Sequence, residues 1–371
     1  CSGQLYWIKV KEGEGETAMR FKPNRAQRRF MGRMWHRNLI LKARQLGFTT
    51  LVCILWLDHA MFNSNQNCGI VAQDREAAEA FFRDKVVFAY EHMPVEVQAA
   101  RPLAKRTASE LQFTNGSLIR VGTSLRSGTF HRLHVSELGK TSVKFPDKAR
   151  EIVDGSIPTC PKDGVLVIES TGEGQEGEFY TLTDQAMATA EKRRPLTPLD
   201  YRFHFFPWWQ EPGYRLTDEQ TAHVVITERE QDYFNEVQAL MGCTIDAGQR
   251  AWYISYREAT YGGDPERMWQ EYPSTPREAF QQSTEGYYYA VQLAAARKAG
   301  RMGVFPYVSG YPVNTFWDIG HSDGACAWLH QRVHMVDRFI GFVEGWEKPY
   351  DHYVKEIQAW DRRVASGNAV W

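Results

Sequence analysis

The chain contains no run of about eighteen consecutive apolar residues, the length a helix needs to cross a bilayer, so no membrane span is expected. Its opening, CSGQLYWIKV, has no basic stretch leading into an apolar core, so it does not read as a signal peptide, and it does not start with Met. Cysteine is sparse. Six occur, at 1, 53, 68, 160, 243 and 326, and none lie close enough for a zinc knuckle or a CxxC redox centre. A reducing compartment is the expectation. Charge of one sign is also lacking: 44 Lys plus Arg stand against 45 Asp plus Glu. That balance does not advertise a nucleic-acid binder, although a local basic groove can be offset elsewhere. There is no internal repeat and no low-complexity run.

What is present is material for packed cores: 371 residues, 43% of them apolar, enough for roughly two or three domains. Asn24 is placed to cap a helix through AQRRFMGRMW. NLIL at 38–41 reads as a buried strand, KARQLGF as a turn, and TTLVCILWLDHAMF as a mostly apolar helix. CGIVAQD at 68–74 is strand-like, and 75–93 has helical composition. ELQFTNGSLIRVGTS at 110–124 reads as two strands around the Asn115–Gly116 turn. RLHVSE (132–137) and GVLVIEST (164–171) are further β-rich runs. This alternation predicts a mostly parallel α/β sheet with ligands at the carboxyl ends of its strands. Residues 195–230 read as turns rich in aromatics, followed by two helices. A fresh β pattern starts at NTFWDIG (314–320), and PYDHYVKEIQAW (349–360) reads as a last helix.

KARQLGFTTL sits between the first strand and its helix. A loop there cradles phosphates with backbone N–H groups, and the helix start adds positive potential. Gly47 supplies the turn. Thr49 is the candidate hydroxyl for Mg²⁺, and its neighbour Thr50 is the alternative. Phe48 stands where a Lys is usual, so the ammonium or guanidinium must come from Lys42 or Arg44. An ordinary strand–turn–helix with a basic corner fits the same residues. Gln27 has an amide that matches the two-sided edge of adenine.

Glu137 follows the strand RLHVS and can orient attacking water. Ser136 precedes it where an Asp is usual, which leaves the metal to be held more by Thr49, phosphates and water, with Ser136 able to contribute through water. Arg126 and Arg132 can neutralise charge during phosphoryl transfer, and Arg126 is the better placed, on the loop SLRSG. Ser170 and Thr171 in VIESTGEG can sense the γ-phosphate, with glycines permitting a backbone switch. Later, Asp318 ends an apolar strand and Asp323 follows it. In an RNase H-like domain such acids hold divalent metal for phosphodiester hydrolysis, together with carboxylates from distant segments. Glu344 and Asp337 are not identified as partners by spacing, and His321 reads as a cap or a surface residue.

The ordered set FKPNRAQRRF, LKARQLGFTTL, LRSGTFHRLHVSE, VIESTGEG, EYPSTPREAF and TFWDIGHSDGACAWLHQ resembles the large terminase subunit of tailed bacteriophages. The resemblance implies an α/β fold: a P-loop NTPase-type, mostly parallel sheet with a helical lid, then the beginning of an RNase H-like domain. Its divisions are 1–205 for the ATPase core, 206–300 for the rest of that domain with the lid and linker, and 301–371 for a partial nuclease domain. By that likeness Gln27 reads adenine. Arg44, Gln45, Gly47 and Thr49 match parts of the Walker A loop, with Phe48 at its usual Lys position. Glu137 is the catalytic carboxylate of Walker B, with Arg126 assisting. Ser170 and Thr171 align with the coupling segment, and Asp318 matches the first nuclease metal acid.

The implied cofactors are ATP and Mg²⁺, with Mn²⁺ an alternative at the nuclease site. The implied partners are double-stranded DNA, a small terminase subunit and a portal protein, with the chain in a homo-oligomeric ring and away from membranes. The implied location is the host cytoplasm, transiently on a procapsid. The family commonly carries more sequence and a further acid beyond this point, so DNA cutting is expected to need residues outside this chain. The competing readings are another DNA-dependent ATPase such as a helicase, and a non-enzymatic capsid-associated protein.

Overall fold

The computed structural model describes residues 5–12, 15–281, 296, 299–319, 324–346 and 348–365. It divides into two compact units, Cys1–Ser283 and Thr284–Trp371. The break therefore falls at 283/284, and residues 206–283 belong to the same unit as 1–205.

The first unit opens with an antiparallel hairpin, β1 (Trp7–Glu12) and β2 (Gly15–Arg20). Helix α1 (Arg25–Met31) follows, and Asn24 caps it as expected: its side chain accepts from the Gln27 N–H, while Gln27 reaches back to the Asn24 N–H. Next come β3 (Arg37–Lys42), α2 (Phe48–Phe62) and β4 (Asn67–Val71). Helix α3 (Arg75–Phe81) runs through a π-helical turn (Phe82–Val87) into α4 (Phe88–Glu91), and α5 is Val95–Ala100. Strands β5 (Leu103–Arg106), β6 (Glu110–Phe113), β7 (Leu118–Gly122) and β8 (Arg132–Ser136) lead to α6 (Leu138–Lys144) and α7 (Pro146–Glu151). Strand β9 (Val165–Ser170), α8 (Gly177–Glu191) and β10 (Tyr201–Phe206) complete the sheet.

The sheet has eight strands in the order β10-β3-β9-β8-β4-β7-β6-β5. β10 through β7 in that order are parallel, and β6 and β5 are antiparallel. The parallel centre is buried on both faces, which is why NLIL and VLVI are continuous apolar runs rather than alternating ones. Gly116 takes φ +83° in the β6–β7 turn, as the Asn-Gly pair predicts. Strand β10 is a correction to the turn-rich reading of 195–230. YRFHFF lies between prolines, and its aromatics cover the sheet edge beside β3.

Helices α9 (Asp218–Thr221), α10 (Glu228–Met241), α11 (Ala247–Tyr261) and α12 (Pro265–Glu271) follow. Helices α10, α11 and α12 join the core cluster that contains α2 through Phe234, Val237, Tyr253 and Met268, with Tyr272 just after α12. Trp208 packs 4.6 Å from Tyr253, and Tyr214 stacks 4.5 Å from Trp252.

The second unit is a three-stranded antiparallel meander, β11 (Asn314–Asp318), β12 (Ala325–Val333) and β13 (Val336–Gly345), with α13 (Tyr350–Ala365). Leu329, Ile340 and Trp360 form its small core. No helix of the described residues is long and apolar enough to cross a membrane.

Candidate nucleotide site

Parallel pairing brings the carboxyl ends of β3, β8 and β9 to one edge, so Lys42, Ser136 and Ser170, the last residues of these strands, share that edge. Residues 43–47 connect β3 to α2. Gly47 adopts φ +71° and Gln45 φ +58°, a left-handed pair that turns the chain into the helix. The first N–H groups of α2 have no partner within the helix, as at any helix start.

Phe48, at the usual lysine position, is buried and packs 5.9 Å from Phe30 and 4.7 Å from Phe206. It anchors the loop to the core instead of facing a ligand. A buried cation, Lys42, stands at the strand end. The Lys42 Nζ lies 3.1 Å from Glu137 Oε1 and 3.2 Å from Glu169 Oε2. Burial lowers the Lys42 pKa, but the two carboxylates outweigh it and keep the ammonium charged above its ordinary range.

Arg44 is exposed and turned elsewhere. Its guanidinium pairs with Glu271 at 3.2 Å, its N–H donates to the Glu271 carbonyl, and its own carbonyl accepts from the Tyr214 hydroxyl. Gln45 is exposed. Thr49 and Thr50 separate in the same way. The Thr49 hydroxyl donates to Glu169 at 2.8 Å, whereas Thr50 accepts from Lys85 at 3.0 Å.

Glu137 sits at the elbow between β8 and α6 with φ +54°, a conformation that is costly for a residue with a side chain. Its N–H donates to the Glu169 carbonyl at 2.8 Å, which locks the elbow to the neighbouring strand. Its Oε2 is buried without a hydrogen-bond partner, and Lys140 stands 3.9 Å away. Burial, with Glu271 and Glu137 nearby, raises the Glu173 carboxyl above its ordinary range.

Glu169 is the residue that sequence reasoning passed over. It is fully buried and accepts from Thr49 and Ser136, each at 2.8 Å, with His134 Nε2 at 3.4 Å. Burial alone raises its carboxyl, but Lys42 first, then His134 and Ser136, hold it well below the carboxylate range. One signal was available: a lone acid in the apolar strand VLVIES.

Ser170 accepts from the Gly139 N–H at 3.0 Å and so ties β9 to the first turn of α6, just after Glu137. Thr171 is buried and its hydroxyl has no hydrogen-bond partner. Gln27 is buried against the loop. Its amide donates to the carbonyls of Gly47 at 2.8 Å and Leu46 at 3.3 Å. Arg126 pairs with Glu151 of α7 at 2.9 Å and makes no ion pair with Glu137 or Glu169. Arg132 donates to the His131 carbonyl at the start of β8.

In the second unit Asp318 is exposed at the end of β11, and the ladder sets it and Glu344 on either side of Cys326. Asp337 pairs with His330 at 3.0 Å. Asp323 and His321 lie outside the described residues. Among the described residues no group of three His, Cys, Asp or Glu side chains is arranged to hold a metal ion. At the loop, by contrast, the Thr49 hydroxyl beside the Glu169 carboxylate is the hard-oxygen set that Mg²⁺ takes, completed by phosphate and water. The residues fit a Mg-nucleotide.

No protein-family model matches the chain, and no curated protein matches it. Solved structures do. The large terminase ATPase domain of Thermus phage P74-26 is 17% identical, with a TM-score of 0.42 over 68% of this chain and 94% of that one. A large terminase from a thermophilic bacteriophage is 10% identical, with a TM-score of 0.35 over 89% of this chain and 70% of that one. The Phi-28 gp11 DNA packaging motor is 10% identical, with a TM-score of 0.29 over 84% and 77% of the two chains. At these identities and scores, the functional reading stands on this chain's own geometry.

Proposed function

We propose that the chain is the ATPase of a viral DNA-packaging motor of the large-terminase kind, hydrolysing ATP at the loop 42–49 to drive duplex DNA into a procapsid. The observation that carries the ATPase reading is the cluster Lys42–Glu137–Glu169–Thr49 at the carboxyl ends of parallel strands, beside the start of α2, with Lys42 and Glu169 buried and Glu137 and Thr49 half-buried. An ammonium, two carboxylates and a hydroxyl are the groups phosphoryl transfer needs, and the transition state asks mainly for positioning and charge stabilisation. Lys42 leaves the carboxylates to meet the phosphates, which frees Glu137 to orient the attacking water. When bound, Mg²⁺ neutralises charge on the phosphate oxygens.

Coupling runs through the backbone. Ser170 holds the helix after Glu137, and Gly172 lies against Ala279 so closely that an added Cβ would stand 1.8 Å from the Ala279 carbonyl oxygen. Arg44 links the loop to α12. Changes at the phosphate site therefore reach residues 271–280 and the helices packed there. The packaging reading adds a ring of copies, a portal, a small DNA-recognition subunit and, where a longer protein supplies further acids, metal-dependent DNA cleavage with Asp318 as one of them.

The test is phosphate release from ATP by the purified chain. Glu137→Gln is expected to lower turnover at least about 100-fold while nucleotide still binds. Equal turnover in wild type and variant contradicts the assignment. Duplex translocation without strand separation distinguishes a packaging motor from a helicase.

A further inference from the structure

Strand β8 ends in Ser136, so the carboxylate usual beside a phosphate loop is missing from its own strand. The ladder supplies one from next door. Ser136 and Glu169 are directly paired across the parallel β8–β9 register, and Glu169 is paired with Ile40 of β3. Paired residues share a face, and so do residues two apart. Ser136, Glu169 and Lys42 therefore point to the same side. That side is the one covered by α2, because Ile40 and Val167 pack with Leu51 and Val52.

Thr49, in the first turn of α2, closes the set by donating to Glu169 Oε1, the same oxygen that accepts from Ser136. A hydroxyl can offer its oxygen to a metal only if its proton is directed elsewhere. Here Glu169 receives that proton's hydrogen bond. A fully buried carboxylate is expensive to maintain, which sets Glu169 apart from a residue kept for stability alone.

Resting on the nucleotide reading above, we propose that Glu169 is the metal-positioning acid of this site, reached from β9 in place of the carboxylate that Ser136 lacks. Ser136 then serves as a hydroxyl that fixes the orientation of Glu169, and Thr49 as the ligand that Glu169 orients. Lys42 balances Glu169 until phosphates draw it away.

The experiment is titration of the full chain with a fluorescent ADP, once in EDTA and once across a range of Mg²⁺ concentrations. Wild type should bind in EDTA and tighten with Mg²⁺. Whatever its affinity in EDTA, Glu169→Gln should need at least about 10-fold more Mg²⁺ than wild type for half-maximal tightening. The double variant Ser136→Asp/Glu169→Gln returns the carboxylate to β8 and should recover the Mg²⁺ response. This second variant keeps one buried acid beside Lys42, so it guards against a fold lost through charge imbalance.

An unchanged Mg²⁺ response in folded Glu169→Gln overturns the proposal and makes Glu169 a structural partner of Lys42. A folded double variant that recovers nothing also overturns it. Wild type that binds no nucleotide removes the ATPase reading as well, whereas wild type that binds without any Mg²⁺ effect removes only the role of Glu169.

Discussion

Lys42 and Arg44 stand two residues apart in the sequence, yet the structure separates them. Lys42 ends a buried strand and has two carboxylates. Arg44 is exposed and pairs with α12. Lys42→Ala leaves Glu169 buried without its cation, a change expected to cost about 3–5 kcal/mol and to abolish nucleotide binding. Arg44→Ala removes a half-exposed pair and should cost less than about 1 kcal/mol. Urea denaturation of both variants checks this, and equal losses would contradict it. Spacing counts could not choose between the two cations, because both lie within reach of Gly47. Nor could they find Glu169, whose partners lie on three other segments. What made Glu137 legible was its place directly after the short β-rich run RLHVS.

At the scale of elements, the segment 271–280 joins the sheet to the helices α10 and α11. Glu278 is buried there, accepting from the Ser274 N–H and facing the Tyr233 hydroxyl. Burial pushes its carboxyl up to about 7, against the hydrogen bonds from Ser274 and Tyr233. The folded value lies above the ordinary one, so the folded state holds the proton more tightly. Stability is therefore full below the ordinary carboxyl pKa and falls as pH rises to about 7, by up to about 3 kcal/mol. Glu278→Gln should flatten this slope in urea midpoints measured between about pH 5 and pH 7. A wild-type profile that is already flat would contradict it. Gly172→Ala tests the same junction, since its Cβ meets the Ala279 carbonyl and the segment must shift.

Strands β3, β4 and β9 were readable because a parallel strand buried on both faces is a continuous apolar run, and β8 from the β-rich run RLHVS. Strand β10 was not, because its aromatics alternate with Arg202 and His204 between prolines. The β1–β2 hairpin also escaped, since WIKVKE and GETAMR carry no single apolar face long enough to register.

At the scale of the whole molecule, the first unit carries the complete loop cluster within Cys1–Ser283. Residues 1–283 alone should bind fluorescent ADP with the affinity of the full chain. Loss of binding on removal of the second unit would contradict a self-contained site. On the packaging function proposed above, DNA gripping should be insensitive to sequence and weaken linearly in logarithm with rising salt, as expected where phosphates carry the contact.

The central claim is that the turn at Gly47 holds nucleotide phosphates with Lys42 as their cation. A crystal structure of the chain with Mg²⁺ and a non-hydrolysable ATP analogue tests it most directly. Phosphate oxygens are expected within about 4 Å of Lys42 Nζ and the metal beside the Thr49 hydroxyl. A saturated crystal with the nucleotide elsewhere, and Lys42 still clamped between Glu137 and Glu169, would contradict it.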